Sequence, residues 1–277
     1  MGKSYQTSKG TKSLSAGMLR RIKRVYDVDP NLLSAQVKTL YESQFGGGGA
    51  SYEALPVTAN LVSDWDASYE ITLNGSDVSQ WTPSAGDANL LVQATAADQP
   101  LYNSTDADFN GHASIQFDGV TENLATIALL SGNMTQPTTV FVVMKMIVAG
   151  ITKTVFDGID GTDRQASIIS GFGAFNPFAG ASMTGTLAAD TNVNILCIRY
   201  NGASSDSYIN GGTADGSGNI GANDLGGLTL GTRYDGTNPA DMKAARVALY
   251  DGLLSDANAN LVGNALATRY GTTWTDI

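Results

Sequence analysis

The stretch at residues 138–148, TTVFVVMKMIV, is rich in β-branched and aromatic residues and carries one charge, Lys145. It is far shorter than the roughly 20 apolar residues of a membrane-spanning helix, and its composition predicts a buried β-strand. Alternation with a period of two predicts that the even-numbered residues Val140 to Met146 share one face, and the odd-numbered residues Phe141 to Ile147 the other. Because the run is almost continuously apolar, we expect both faces to be covered, with the Lys145 face the wetter one.

Similar but shorter segments recur from about residue 60 to residue 252, separated by Asn-Gly and Asp-Gly steps that favour tight turns. The strands predicted in this way are 61–66, 90–95, 114–118, 138–148, 152–157, 165–170, 193–200, 207–210, 228–231 and 244–250. Their number and spacing predict a β-sandwich.

A helical pattern closes the chain. Ser255 is a suitable N-cap, and Gly271 is a typical residue to end a helix. The predicted apolar stripe comprises Leu261, Val262, Ala265, Leu266 and Tyr270.

The N-terminal 45 residues have a different pattern. Residues 1–13 are polar and basic without periodicity, which predicts an arm that orders only on a partner. Two short helices are predicted next, the second beginning at Asp29 and Pro30. The glycines of residues 46–50 predict a hinge before a domain at 51–277. The candidate anchoring residues on these helices are Leu14, Met18, Arg20, Arg21, Ile22, Lys23, Arg24, Leu33, Val37 and Tyr41.

Composition agrees with an all-β domain, since 42% of residues are apolar, 15% are charged and 32 are glycine. The net charge of −10 is divided unevenly. Residues 1–50 hold eight Lys or Arg and three acids, giving +5, so residues 51–277 carry −15. The basic segment could dock on a large protein assembly, carry simple solvated charge, or contact nucleic acid, although no recognition-helix pattern stands out.

The N-terminus lacks the apolar core of a signal peptide, and no lipid anchor or membrane insertion is expected. The single cysteine, Cys197, lies in the apolar run VNILCIRY and is expected to be a buried hydrophobe.

Paired Glu residues for glycoside cleavage are missing, because the four Glu lie at positions 42, 53, 70 and 122. Asp64 with Asp66, or Asp106 with Asp108, have the period-two spacing of a catalytic pair on one strand, but acid-rich loop ends are the favoured explanation. His112, the only histidine, leaves a single candidate base for a Ser-His-Asp arrangement. We therefore predict no catalytic residues and a protein that is not an enzyme.

Two loops offer candidate binding chemistry. The stretch DGIDGTD brings Asp157, Asp160 and Asp163 together as a weak calcium candidate, although Asp-Gly hairpin turns explain the pattern without an ion. The stretch GFGAFNPFAG presents three aromatic rings that could contact a glycan or another subunit, or cover the end of the core. These rings are Phe172, Phe175 and Phe178.

The segments LVSDWDAS, WTPSAGDANLLVQATAADQPLY, ASIQFDGV and TTVFVVMKM resemble, in order, the opening strands of concanavalin A-like lectin and laminin-G-like jelly rolls. NVNILCIRYNGASSDSYINGG, GGLTLGTRYDG and the final helix resemble the closing strands and helix of that family. The resemblance, over about residues 60–274, implies a two-sheet jelly roll. In style, the sequence resembles the versions found in tailed-phage virion proteins.

The resemblance and the charge division together predict a bacteriophage virion structural protein, present as a homo-oligomer or in several copies. Residues 1–45 would anchor it to capsid, portal or tail, and the lectin-like domain would contact cell-surface glycans. The alternatives are a free carbohydrate-binding protein and, third, a glycoside hydrolase. No cofactor other than calcium is expected.

Overall fold

A computed structural model describes residues 3–7, 10–14, 52–126, 128–148, 152–170 and 173–277. The chain divides into two compact units, Met1–Ser51 and Tyr52–Ile277.

In the first unit, β1 (Lys3–Thr7) pairs antiparallel with β2 (Gly10–Leu14). This differs from the predicted arm without secondary structure, and Leu14 ends a strand instead of beginning a helix. Tyr and Thr favour extended backbone, and only two residues separate the strands, so a hairpin can close locally. The other candidate anchoring residues lie outside the described residues.

The second unit is an antiparallel β-sandwich followed by a helix, which confirms the predicted all-β architecture. Seventeen strands of the described residues form one hydrogen-bonded network. They are β3 (Leu61–Asp66), β4 (Ile71–Asn74), β5 (Asp77–Trp81), β6 (Ala85–Gly86), β7 (Leu91–Val92), β8 (Leu101–Asn103), β9 (Ser114–Asp118), β10 (Leu124–Ala125), β11 (Thr138–Met146), β12 (Lys153–Asp157), β13 (Ala166–Ser170), β14 (Ala174–Phe178), β15 (Val193–Tyr200), β16 (Ser205–Ile209), β17 (Gly216–Gly218), β18 (Thr229–Leu230) and β19 (Asp241–Tyr250).

Two layers follow from the pairing. One layer has the order β17–β16–β15–β11–β19, with β3 and β9 paired to successive parts of β19 and β8 beside β9. The other has the order β14–β13–β12–β18–β10–β7–β5–β4. Strand β11 lies between β15 and β19, in the middle of the first layer.

The two faces of β11 are covered as predicted. Val140, Val142 and Met144 belong to the core between the layers, together with the fully buried Trp65 and Trp81. On the other face, Phe141 and Val143 pack in a second core beneath the C-terminal helix. Lys145 lies on this second face and is the one partly exposed residue of the strand, so the charge marks the wetter side.

The helix α1 (Asp256–Tyr270) is capped as predicted, because the Ser255 hydroxyl accepts a hydrogen bond from the Asn258 amide and Gly271 adopts φ 67°. Of the predicted stripe, Val262, Leu266 and Tyr270 are buried, whereas Leu261 is 54% exposed. Gly263 is also buried. A Cβ at that position would overlap the ring of Trp274, so glycine allows the helix to lie close to this ring.

Buried ion pairs fasten this helix to the sheet. Arg246 on β19 donates to both carboxylate oxygens of Asp64 on β3, at 2.8 and 2.6 Å. Arg269 on α1 donates to Asp66 Oδ2 at 2.9 Å, and Tyr52 donates its hydroxyl to Asp64 Oδ2 at 3.0 Å. We call Asp64, Asp66, Arg246 and Arg269 the buried ion network. Removing one charge would leave the others desolvated and unpaired, which is the costly case for buried ions.

A second ionic contact holds the start of the helix. Arg199 on β15 contacts Asp206 on β16 at 2.6 Å and Asp256 in the first helical turn at 2.5 Å. The same guanidinium donates to the Tyr208 hydroxyl and to the Leu254 carbonyl. Both ends of α1 are therefore tied to the same layer. Among the described residues, no helix is long and apolar enough to cross a membrane.

Replacing Arg246 by methionine should lower the free energy of unfolding by about 3 to 5 kcal/mol, because Asp64 would stay buried without its partner. Urea denaturation followed by tryptophan fluorescence measures this loss. The matched control is Arg233→Met, since the Arg233–Asp235 pair is about one third exposed on both sides. That change should cost less than about 1 kcal/mol. Equal losses in the two variants would contradict a special role for the buried ion network.

Candidate functional site

A row of side chains crosses the open part of the first layer, on the face that α1 covers elsewhere. Register pairs Leu101 with Gln116, Gln116 with Lys243, Lys243 with Lys145, and Lys145 with Val193. Directly opposed residues of neighbouring strands project to the same face. These five residues, one from each of β8, β9, β19, β11 and β15, are the cross-strand row.

An open cleft of about 420 Å³ lies over the row. Its volume falls within the range of small-ligand sites, but its lining is mostly polar. The lining residues are Asp108, Gln116, Lys145, Ile147, Thr191 and Lys243.

Asp108 joins the two lysines of the cleft. Its Oδ1 lies 2.6 Å from Lys145 Nζ, and its Oδ2 lies 2.8 Å from Lys243 Nζ. Lys243 Nζ also lies 2.9 Å from Asp106 Oδ2. Hydrogen bonds from Lys145 and Lys243 lower the pKa of Asp108. Partial burial opposes a charge on Lys243, but its hydrogen bonds to Asp108 and Asp106 raise its pKa, so Asp108 and Lys243 are both charged at neutral pH.

A 3-10 turn, Ala107–Phe109, carries Asp108 to this position. The Asp106 carboxylate caps the turn by accepting from the Asp108 amide at 3.0 Å, and it also accepts from the Ser114 hydroxyl at 2.6 Å. Phe109 is fully buried and anchors the other end. Asp106 and Asp108 therefore belong to a turn and not to a strand-borne catalytic pair. Asp64 and Asp66 do share one face of β3, but they lie in the buried ion network.

Acidic groups lie beside the cleft, where β9 ends and β19 begins. Asp118 pairs with Asp241 in register, one step beyond Gln116 and Lys243 on the same face. Glu122 accepts from the Asp118 amide at 2.8 Å. Partial burial and the nearby Asp118 charge raise the pKa of Glu122 to about 7. This edge adds negative charge beside the two lysines of the cleft.

Phe175 and Phe178, the two described members of the predicted aromatic contact surface, do not present free rings. Phe175 is 2% exposed and belongs to the core between the layers. Phe178 is half-buried, with the Arg164 guanidinium 4.4 Å from its ring centre. Phe172 lies outside the described residues. For Phe175, the alternative that the rings cover the core is the one the structure shows.

Two of the three predicted calcium ligands, Asp157 and Asp160, are engaged separately. Asp157 is buried and accepts from Arg164 Nε at 2.8 and 3.0 Å. Asp160 Oδ1 accepts from the amides of Thr162 and Asp163, as in a self-contained turn. In the described parts of the chain, no three His, Cys, Asp or Glu side chains are grouped to hold a metal ion.

Cys197 and His112, the remaining candidates for chemistry, pack against other parts of the fold. The Cys197 side chain is fully buried, and burial raises its pKa, which suits the predicted hydrophobic role. His112 packs edge-on against Tyr270, with 5.5 Å between ring centres. Sequence reasoning missed Gln116, Thr191 and Lys243 as site residues and used Lys145 only to orient its strand. The available signal was a lysine within each of two apolar strands.

No protein-family model and no curated protein matches this chain. Solved structures do match its fold. Trypanosoma rangeli sialidase with the inhibitor DANA is 13% identical with a TM-score of 0.54, over 98% of this chain and 42% of the sialidase. Domain 4 of AbnA, a GH43 extracellular arabinanase from Geobacillus stearothermophilus bound to arabinotriose, is 13% identical with a TM-score of 0.53, over 74% of this chain and 98% of that domain.

An arabinofuranosidase complexed with arabinofuranosyl-alpha-1,2-xylobiose is 11% identical with a TM-score of 0.55, over 70% of this chain and 51% of that protein. The chain thus spans about two fifths of the sialidase and half of the arabinofuranosidase. At these identities the likeness shows the fold, which is a β-sandwich found in structures of carbohydrate-active enzymes.

These similarities correct one prediction. The sequence led us to predict a protein that is not an enzyme, because paired Glu residues are missing. That prediction is wrong, since the structures sharing the fold are those of glycoside hydrolases, a sialidase and a GH43 arabinanase among them. The spacing of Glu and Asp along the sequence was too narrow a criterion, because catalytic groups on one fold can come from residues that are distant in sequence.

The raised pKa of Glu122 predicts a pH-dependent stability. The folded protein holds this proton up to about pH 7, whereas the ordinary pKa of this carboxyl group is 4.5, so the free energy of unfolding should fall as pH rises between these values. Glu122→Gln keeps an oxygen acceptor for the Asp118 amide but carries no charge. The variant should be more stable than the wild type at pH 8, by less than about 1 kcal/mol because solvent screens the site.

Thermal unfolding of the wild type and Glu122→Gln at pH 5 and pH 8 tests this expectation. Asp87→Asn, which removes a carboxylate at another exposed position, is the control and should show no comparable gain at pH 8. A Glu122→Gln variant with the wild-type pH dependence would contradict the assignment.

Proposed function

We propose that this protein binds carbohydrate in the cleft over the cross-strand row. The observation that carries the proposal is an open, polar cleft on a β-sandwich whose fold is shared with a sialidase, an arabinanase domain bound to arabinotriose and an arabinofuranosidase. Sugars bind through many hydroxyl groups, so a site for them needs donors and acceptors side by side.

The lining residues provide this mixture. Lys145 and Lys243 donate, Asp108 accepts, and the Gln116 amide and Thr191 hydroxyl do both. Ile147 in the lining, and the 36% exposed Leu101 at one end of the cross-strand row, offer apolar contact to the C–H faces of a sugar ring. An apolar ligand would find little matching surface in such a cleft.

The geometry favours a chain of sugars over a single one. The cross-strand row spans five strands, about 19 Å at the usual strand spacing of about 4.8 Å. The row runs across the strands, so an extended ligand could contact several of its residues at once.

Carbohydrate processing is the second candidate, and the likeness to glycoside hydrolases is the observation that favours it. Glycoside cleavage uses two carboxyl groups on opposite sides of the bond. The lining supplies one, Asp108, whose lowered pKa suits a base or nucleophile better than a proton donor.

The narrower proposal from the sequence is that the protein is a virion component held by residues 1–45. Its basis is the division of charge between the two parts of the chain. The three similar structures described above lend it no support. If several copies were displayed together, avidity would strengthen a weak sugar contact.

Full-length protein applied to a glycan array should bind neutral oligosaccharides. Gln116→Ala and Lys243→Met should each weaken that binding about tenfold, because each removes a polar contact equivalent to about 1.4 kcal/mol. Arg233→Met, on a loop outside the cleft lining, is the matched control and should bind like the wild type. If both cleft variants bind as tightly as the wild type, the sugar site lies outside the cleft. If the wild type binds no glycan, the proposed function is overturned.

The same preparation, incubated with the polysaccharides that it binds, distinguishes binding from processing. Release of reducing ends that disappears in Asp108→Asn would assign catalysis to the cleft. Bound but intact polysaccharide would leave carbohydrate binding as the function of the cleft.

A further inference from the structure

We propose that Asp108 restricts this cleft to uncharged carbohydrates, because its carboxylate occupies the place between two ammonium groups that a ligand carboxylate would take. The inference rests on the proposed function and deepens it by naming a ligand class and the residue that selects it.

The geometry resembles that of a bound anion. One carboxylate uses its two oxygens on two different lysines, at 2.6 Å to Lys145 and 2.8 Å to Lys243. All three side chains are partly exposed, at 31% for Asp108, 25% for Lys145 and 18% for Lys243. The contact therefore lies at the cleft surface, where a ligand would meet it, and not in the core.

The chain brings this carboxylate to the lysines from a separate element. Lys145 and Lys243 lie side by side on paired strands, where two like charges directly opposite each other are unfavourable. Asp108 relieves this repulsion from the turn Ala107–Phe109. The lysine pair alone would form a ready anion site, and the turn fills it.

Neighbouring acidic groups also disfavour an anionic ligand, although Lys153 offsets part of the Asp241 charge. Asp106 takes a second contact with Lys243 and its side chain is 5% exposed, so this charge is fixed. Asp118 and Asp241 lie one register step further along the same face. With Asp108 in place, the two lysines are balanced by two carboxylates, and the acidic edge repels an anionic ligand.

The turn should survive the loss of the Asp108 charge. Its cap is the Asp106 carboxylate, which accepts from the backbone amide of Asp108 and not from its side chain. Phe109 is fully buried beside it. Asp108→Asn therefore leaves the backbone contacts in place while exposing two ammonium groups that have lost their shared carboxylate.

The experiment compares neutral and anionic ligands in wild type and Asp108→Asn. The probes are arabinan and xylan oligosaccharides for the neutral class, and oligogalacturonate and sialyllactose for the anionic class, titrated calorimetrically into full-length protein at low salt. Wild type should bind the neutral probes and prefer them to the anionic ones. Asp108→Asn should gain about fivefold in affinity for the anionic probes, as expected for one unit charge at about 4 Å in water.

Two further variants make the result specific. Asp108→Asn combined with Lys145→Met removes one charge of each sign and should lose the gain. Asp251→Asn, an exposed acid just beyond the far end of β19, makes the same change in net charge and should leave the preference unchanged. The gain should also shrink at 0.5 M salt, because screening weakens contacts between exposed charges.

If wild type binds the neutral probes and Asp108→Asn shows the same preference between neutral and anionic probes, this inference is overturned and the proposed function stands. A wild type that prefers anionic probes overturns it as well. If wild type binds neither class, the proposed function fails first, and this inference fails with it.

Discussion

The desolvated pairing of Arg246 with Asp64 is the interaction on which the rest of this sandwich depends. An unpaired charge at either of these buried positions would be costly, so the pair favours the observed register of β3 and β19. Asp66 and Arg269 extend the same network to the C-terminal helix, and Tyr52 extends it to the start of the domain. One set of charges thus orients the first layer, the helix above it and the segment that enters it.

The helix also determines which half of the outer face is covered. It covers Phe141 and Val143 on one half of the outer face, and the other half presents the cross-strand row. A sandwich without such a helix would expose the apolar half to water.

Much of the fold could be predicted from the sequence, because its strands, turns and helix ends depend on the preferences of neighbouring residues. The β-branched run at residues 138–148, the Asn-Gly and Asp-Gly turns and the Ser255 and Gly271 caps each specify nearby backbone. The burial of Leu261 was predicted wrongly, because the buried side of a helix depends on what packs against it. Here the Trp274 ring packs closely against Gly263. The candidate site could not be predicted in the same way, since Gln116, Lys145 and Lys243 meet only through the register of three strands that are distant in sequence.

In a regular strand, Lys243 and Arg246 would lie on opposite faces of β19, because they are three residues apart. In the structure, an irregularity in the pairing opposite Val143 and Met144 places both on the same face, and Ala245 is the extra residue. Without it, the alternation of β19 would invert on one side of this point: Met242 would turn outward and Lys243 inward, into the apolar interior. Ala245 therefore sets the alternation of the strand, so a one-residue deletion there would remove Lys243 from the cleft, whereas a substitution of Ala245 would keep the register.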